Sequence, residues 1–121
     1  MMAEGRVAAA VRTVLSEAGA IREVKMFGGI GFLLNGNMVA AVSPRGLLLR
    51  VGKDQYPAAL TRPGVRPMEM RGRVIKGYVY VDPPMLTKTA TEAWLGDALA
   101  FVQTLPSKEA DTKPVKKGKR T

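Results

Sequence analysis

The residue types that most often carry enzyme chemistry are missing from this sequence. Its 121 residues include no cysteine and no histidine. Thiol nucleophiles, serine–histidine relays, thiolate or imidazole zinc sites, haem ligation and disulfide bonds each need one of these two residues. We therefore expect no catalytic residues and no cofactor.

Carboxylates are the remaining groups for acid–base or metal chemistry, and the sequence disperses them. It contains 10 aspartates and glutamates, none of which forms a close pair along the chain that would indicate a metal site. Folding could still bring two of them together, for instance Glu69 and Asp82 at the ends of strands. We predict that the protein binds no metal, and an enzyme of unrecognised type is the weakest of the alternatives.

A cluster of glycines invites comparison with loops that hold phosphate through backbone N–H groups. Gly28, Gly29 and Gly31 lie close together, but the run lacks the Gly-Lys-Ser/Thr ending of a P-loop. It also does not follow a strand and open a helix, which is the context that such a loop needs. We interpret these residues as structural glycines at the start of a strand or at a bulge.

Binding of phosphate polyanions is the chemistry to which the basic residues point. The chain has 19 lysines and arginines against 10 acids, a net charge of +9. Its last 15 residues hold six bases and two acids, and we expect this tail to be disordered. One interpretation is a solubilising segment, and the other is weak nucleic-acid contact. The contact residues would be Lys113, Lys116, Lys117, Lys119 and Arg120.

A second group of basic residues is spread along the body of the chain. Tyr78 and Tyr80 alternate along one predicted strand, and basic residues beside them would hold single-stranded nucleic acid if folding made them converge. Scattered solvated charges, with the tyrosines at the edge of the core, are the simpler interpretation. The basic residues concerned are Lys25, Arg50, Arg66, Arg71, Arg73 and Lys76.

Strands that would position these groups are marked by turn residues. Asn35 and Gly36 separate two apolar runs, a strong signal for a hairpin of strands at about 29–34 and 38–43. Further strands are expected at 47–51, at 67–70 and at 74–81, with a turn at Arg71 and Gly72 between the last two.

Helices are predicted at both ends of the chain and once between the strands. Apolar residues recur at helical spacing from about 3 to 18, and again from about 90 to 104. Thr89 and Glu92 have the spacing of a capping box for the last helix. A short helix within 53–60 would take Asp54 as its cap and Pro57 in its first turn.

The resulting order, α-β-β-β-α-β-β-α, predicts an α+β fold in which helices cover one face of an antiparallel sheet. Residues 1–106 would form the folded domain and residues 107–121 the disordered basic tail. No stretch approaches the roughly 18 apolar residues of a membrane span, and the start of the chain is not typical of a signal peptide. We expect a cytoplasmic protein.

A resemblance to a known family adds to this interpretation. The run Met26, Phe27, Gly28, Gly29 and Gly31 before an apolar hairpin, with Gly77 to Val81 and the Trp94 helix further on, resembles the TfoX/Sxy N-terminal domain family. The resemblance covers about residues 5–105 and implies a bacterial two-layer fold of the type compared with secretion chaperones. It implies no catalytic or ligand residues, so the five motif residues are structural signatures.

The founding members of that family regulate competence for DNA uptake, acting on transcription alongside a cyclic-AMP-responsive activator, and they carry a further C-terminal domain. The resemblance thus implies a small non-enzymatic regulatory or protein-interaction module. We expect a protein partner or a dimer, because a short meander leaves sheet edges that must be covered or paired. The alternative is a nucleic-acid-binding accessory protein that uses the basic tail.

Overall fold

The computed structural model describes residues 4–26 and 28–107. These residues form three α-helices and six strands, with a short 3-10 turn at Pro83–Met85. The helices are α1 (Glu4–Ser16), α2 (Tyr56–Leu60) and α3 (Lys88–Val102). The strands are β1 (Ile21–Met26), β2 (Gly29–Leu34), β3 (Asn37–Ser43), β4 (Gly46–Arg50), β5 (Val65–Met70) and β6 (Arg73–Val81).

All six strands belong to one antiparallel sheet, in the order β1-β2-β3-β4-β6-β5. The first four follow one another as a meander, α2 lies in the connection from β4 to β5, and β6 then returns beside β4. Short connections between antiparallel neighbours favour this arrangement. The predicted α+β class and the predicted elements are confirmed in their order.

The strand β1 is the one element that the sequence analysis did not assign. It pairs with β2 from Ile21 opposite Leu34 to Met26 opposite Gly29. Three of its six residues are charged and exposed, so it lacks the apolar or alternating pattern by which strands are predicted. An edge strand tolerates such a composition because only one of its sides is paired. The predicted three-stranded meander therefore has four strands.

α1, α2 and α3 all pack on the same side of the sheet. Their fully buried side chains include Val11, Leu15 and Leu95, which share one core with residues of the four central strands. The strand residues of that core include Phe32, Val42, Leu47, Leu49, Val79 and Val81. Register places Val42 opposite Leu47 and Leu47 opposite Val81, so these side chains project from one face. The fold is a two-layer structure with a single principal core.

Two tight turns follow the prediction from sequence. Asn35 and Gly36 have φ angles of 54° and 81°, and Arg71 and Gly72 have φ angles of 53° and 79°. Positive φ at both central residues is what a two-residue hairpin turn requires. The first turn joins β2 to β3, and the second joins β5 to β6.

The predicted helix caps were wrong at two places. α3 begins after Thr87, whose Oγ1 accepts a hydrogen bond of 3.1 Å from the Ala90 N–H; Thr89 therefore lies inside the first turn and does not cap the helix. α2 begins after Gln55 with no side-chain cap, so Asp54 is not its cap, although Pro57 lies in the first turn as predicted. Several threonines near one helix start offer alternative caps, and the chain geometry selects among them.

We predict that Thr87→Ala lowers the free energy of unfolding by about 1 kcal/mol, because it leaves the Ala90 N–H without its side-chain acceptor. Urea unfolding followed by circular dichroism measures the change. Thr89→Ala is the matched control and should change stability by less than about 0.5 kcal/mol. A larger loss for Thr89→Ala than for Thr87→Ala would contradict the cap seen in the structure.

An exposed ion pair joins α1 to β1. The Arg12 guanidinium contacts both Glu23 carboxylate oxygens, with Nε–Oε2 at 2.5 Å and Nη2–Oε1 at 2.9 Å. The hydrogen bonds from Arg12 are the main cause that holds the pKa of Glu23 below its ordinary value. This contribution to stability is present above the ordinary glutamate pKa and is lost as the pH falls through the lowered one.

We therefore expect the stability difference between the native chain and Glu23→Gln to shrink as the pH falls from about 6 to about 3. Chemical denaturation at a series of pH values measures that difference. A gap that stays constant across this range would show that ionisation of Glu23 adds nothing to stability, as is common for exposed pairs.

Candidate functional site

The face of the sheet opposite the helices carries a second apolar cluster, which we call the outer cluster. Ala41, Leu48, Met68 and Tyr80 form its centre, with Met26, Met38, Ile75 and Tyr78 packed around them. No residue of α1, α2 or α3 belongs to this cluster within the described ranges. Its central residues are at most 4% exposed, and the side chains that cover them project from the same face of the sheet.

One arginine is fixed over the outer cluster. The Arg66 guanidinium lies 5.3 Å from the Tyr80 ring centroid, and its Nε donates to Asp82 Oδ1 at 2.6 Å while Nη2 donates to the Arg45 carbonyl at 2.6 Å. Tyr80 is paired with Arg66 on one side and with Leu48 on the other. The charge of Arg66 is thus compensated by a carboxylate.

A second arginine lies between two aromatic rings at the end of β4. The Arg50 guanidinium is 5.5 Å from the Tyr78 ring centroid and 5.7 Å from that of Phe101. It lines an open cleft of about 310 Å³, which we call the basic cleft. The lining residues are Arg50, Gly52, Lys53, Asp54, Lys76, Gly77, Tyr78 and Phe101.

Two glycines shape the basic cleft. Gly77, at φ 95°, bends β6, and its carbonyl accepts hydrogen bonds from the Val51 and Gly52 N–H groups at 2.9 and 3.1 Å. A Cβ on Gly52 would lie 2.5 Å from Phe101 Cδ1. Because glycine has no side chain, the Phe101 ring of α3 can pack directly against the backbone at the end of β4.

The structure brings together only some of the basic residues singled out in the sequence. Arg50 and Lys76 meet beside Tyr78, and Arg66 lies over Tyr80. Arg71 and Arg73 lie at the turn between β5 and β6. Lys25 lies on the edge strand β1, on the same face as Glu23, which contacts α1, and therefore away from the tyrosines.

The other predicted contact residues, Lys113, Lys116, Lys117, Lys119 and Arg120, lie outside the described residues. Lys53 and Phe101 are among the lining residues of the basic cleft that the sequence analysis did not single out as contact residues. Lys53 occurs in an ordinary loop, and Phe101 matches the apolar periodicity of α3. Neither residue therefore stands out in the sequence as a binding residue.

Two of the three motif glycines, Gly29 and Gly31, lie where a side chain would meet close neighbours. Gly28 has φ 74°. A Cβ on Gly29 would overlap the Val42 carbonyl oxygen, and one on Gly31 would lie 2.5 Å from Met26 Sδ. Contacts of this kind are what a structural role requires, while Phe27 of the motif lies outside the described residues.

Within residues 4–26 and 28–107, no three aspartates, glutamates, histidines or cysteines come together in a group that could hold a metal ion. Asp82 forms its ion pair with Arg66 and lies at the end of β6. In the same part of the chain, no helix has both the length and the apolar character needed to cross a membrane.

Both edge strands carry residues that oppose pairing with a strand of another molecule. β1 presents Arg22, Glu23 and Lys25 in six residues, and β5 contains Pro67, which has no N–H to donate. Charges and proline are common protections of sheet edges. A face of the sheet is therefore a more favourable binding surface for a partner than an edge strand.

The family model described as the TfoX N-terminal domain matches residues 13–102, which include all six described strands, α2, α3 and every residue of the outer cluster and of the basic cleft. No curated protein matches the chain.

We predict that Gly29→Ala lowers the free energy of unfolding by about 3 kcal/mol or more, because the Val42 carbonyl is backbone and cannot move aside. Gly31→Ala displaces only the flexible end of Met26 and should cost about 1 kcal/mol. Gly96→Ala is the control: this residue of α3 is exposed with open space around it, and alanine there should add up to about 1 kcal/mol. Urea unfolding ranks the three, and equal effects of Gly29→Ala and Gly31→Ala would contradict the packing described.

Proposed function

Because the chain belongs to the TfoX N-terminal domain family, we propose that it is a non-enzymatic regulatory module of the cytoplasm that binds a protein partner. The process in which we place it is the regulation of transcription or competence, to which this family points. The surface that we assign to the partner is the outer cluster with the basic residues around it.

The observation that carries this proposal is the one-sided coverage of the sheet. Helices bury one face, while the other face presents methionine and tyrosine side chains at the surface. Methionine adapts to the shape of a partner because it is unbranched and polarisable. Tyrosine adds contact area at a low cost in conformational entropy, since it has few rotatable bonds. Met70 continues this face along β5 and is 42% exposed.

The charges around the outer cluster indicate the chemistry of the partner. Arg50 and Lys76 lie beside Tyr78, and Arg73 lies opposite Met70 at the β5–β6 hairpin. Arg66 is different because Asp82 compensates its charge. A segment that combines apolar side chains with acidic ones would match an apolar centre with a basic border. A second copy of this chain is a poorer match, because two basic borders would repel each other.

A second candidate function is a nucleic-acid-binding accessory protein that uses the basic tail. The observation that favours it is the net charge of +9, since six of the 19 basic residues lie in the last 15 positions. Such binding would show little sequence preference and would weaken steeply with salt.

The partner proposal is tested by two methionines of equal exposure. Met70 on β5 is 42% exposed and Met85 in the 3-10 turn is 40% exposed, but only Met70 continues the face of Met68. A photo-crosslinking residue in place of Met70 should form an adduct with a protein in cells, and the same residue in place of Met85 should not. Met70→Glu should then weaken the complex with the partner so identified about tenfold or more, because it removes apolar contact and repels acidic groups.

Met85→Glu changes the net charge equally and should leave that complex intact. Equal weakening by both variants, or adducts of equal yield at both positions, would contradict the assigned surface.

The second candidate function is tested separately, with full-length protein in which five basic residues are replaced by glutamine: Lys113, Lys116, Lys117, Lys119 and Arg120. DNA binding that disappears in this variant, and in the native chain falls steeply between about 50 and 200 mM salt, would support the tail as the binding element.

A further inference from the structure

We infer that the basic cleft binds a nucleotide unit of a single-stranded nucleic acid. This activity lies beyond the partner binding proposed above, with which it shares Arg50, Lys76 and Tyr78, and it uses the folded body of the chain and not the basic tail. It rests on four properties of the cleft: its free cations, its aromatic rings, its size and its position.

The basic cleft holds cations that lack a carboxylate partner. Arg50, Lys53 and Lys76 line it, and none of the three forms an ion pair with another described residue. Asp54 is the single acid in the lining, which leaves an excess of positive charge. Arg66, over Tyr80, differs because Asp82 already accepts a hydrogen bond from its guanidinium. A phosphate group is the ligand that arginine and lysine side chains left free in this way recognise.

The aromatic rings supply a surface on which a base can stack. The ring centroids of Tyr78 and Phe101 lie 5.5 and 5.7 Å from the guanidinium carbon of Arg50, so both rings lie beside this cation. Bases of single-stranded nucleic acids stack on aromatic rings and on arginine planes without strong sequence preference. Tyr78 is only half-buried, so part of its ring is accessible.

Size and shape also fit a single nucleotide. The cleft of about 310 Å³ lies at the lower limit of the roughly 300–1,000 Å³ of small-molecule sites. It is open to solvent, so a strand can enter and leave on either side of the nucleotide that it holds.

Position favours a polymer over a free nucleotide. The last ladder pair of β4 and β6 joins Arg50 to Tyr78, so residues 73–76 of β6 extend beyond the end of β4 and carry Arg73 and Lys76 with them. The register of Ala40 with Leu49 places Asn37 beside the exit of β4, at this same end of the sheet. The buried Asn37 side chain donates to the Pro106 carbonyl at 2.9 Å. Pro106 therefore lies at the same end of the sheet as the cleft, and a long polyanion held there would also meet Arg73.

The test measures binding of the full chain to a fluorescent single-stranded thymidine oligonucleotide of about 12 residues, at several salt concentrations. The double variant Lys53→Gln/Lys76→Gln removes two exposed cations. We expect it to bind about tenfold more weakly at about 50 mM salt, with the slope of log K against log salt about 1.4 smaller in magnitude. Tyr78→Leu should weaken binding about fivefold or more and leave the slope unchanged, because it removes stacking and not charge.

The matched control is Lys25→Gln/Arg45→Gln, which removes the same charge at the opposite end of the sheet. This control should bind almost as tightly as the native chain. Equal losses in the two double variants would overturn the proposal in favour of non-specific attraction, as would unchanged affinity in Tyr78→Leu. Binding of thymidine monophosphate without binding of the oligonucleotide would overturn it in favour of a free nucleotide. Thermal unfolding of each variant confirms that the fold is retained.

Discussion

Packing of all the described helices against one side of a single antiparallel sheet is the constraint on which the rest of this structure depends. It places Phe32, Leu49 and Val79 in a core with α1 and α3, and burial of this apolar surface is the main driving force for folding. It also leaves the opposite face without a second layer from the part of the chain that the structure describes. That face has to cover itself with its own long side chains, and methionine, tyrosine and arginine are the residues that do so. The same constraint thus produces the stable core and a surface able to take a partner.

At two points where elements of the fold meet, their close packing depends on glycine. Gly29 packs against the Val42 carbonyl at the start of β2, and Gly52 lies beneath the Phe101 ring at the end of β4. In both places a side chain would force strand and neighbour apart. Gly29 of the family motif thus has a packing role, while Gly52 and Gly77 set the shape of the basic cleft.

The two arginine–tyrosine pairs show how similar local chemistry leads to different roles. Arg66 over Tyr80 is neutralised by Asp82 and held by the Arg45 carbonyl, so it is part of the framework of the outer face. Arg50 over Tyr78 has a second ring, Phe101, and no carboxylate partner among the described residues. Its hydrogen-bonding groups are free for a ligand, because cation–π contacts orient a guanidinium without occupying its donors. The carboxylate of Asp82 thus gives the Arg66–Tyr80 pair a structural role, whereas the Arg50–Tyr78 pair is available to a ligand.

The α+β class, the hairpin at Asn35 and Gly36 and the order of the predicted elements could all be predicted from the sequence, whose composition also excludes thiol and imidazole chemistry. Each of these depends on local periodicity, on turn residues or on composition, which are properties of short segments. Three features emerged only from the folded chain: β1 completes the sheet, Thr87 caps α3, and the basic residues of the cleft meet beside Tyr78 and Phe101 while Lys25 lies elsewhere. The physical reason is that strand register and helix packing join residues far apart in the chain, and no local pattern records which of them will become neighbours.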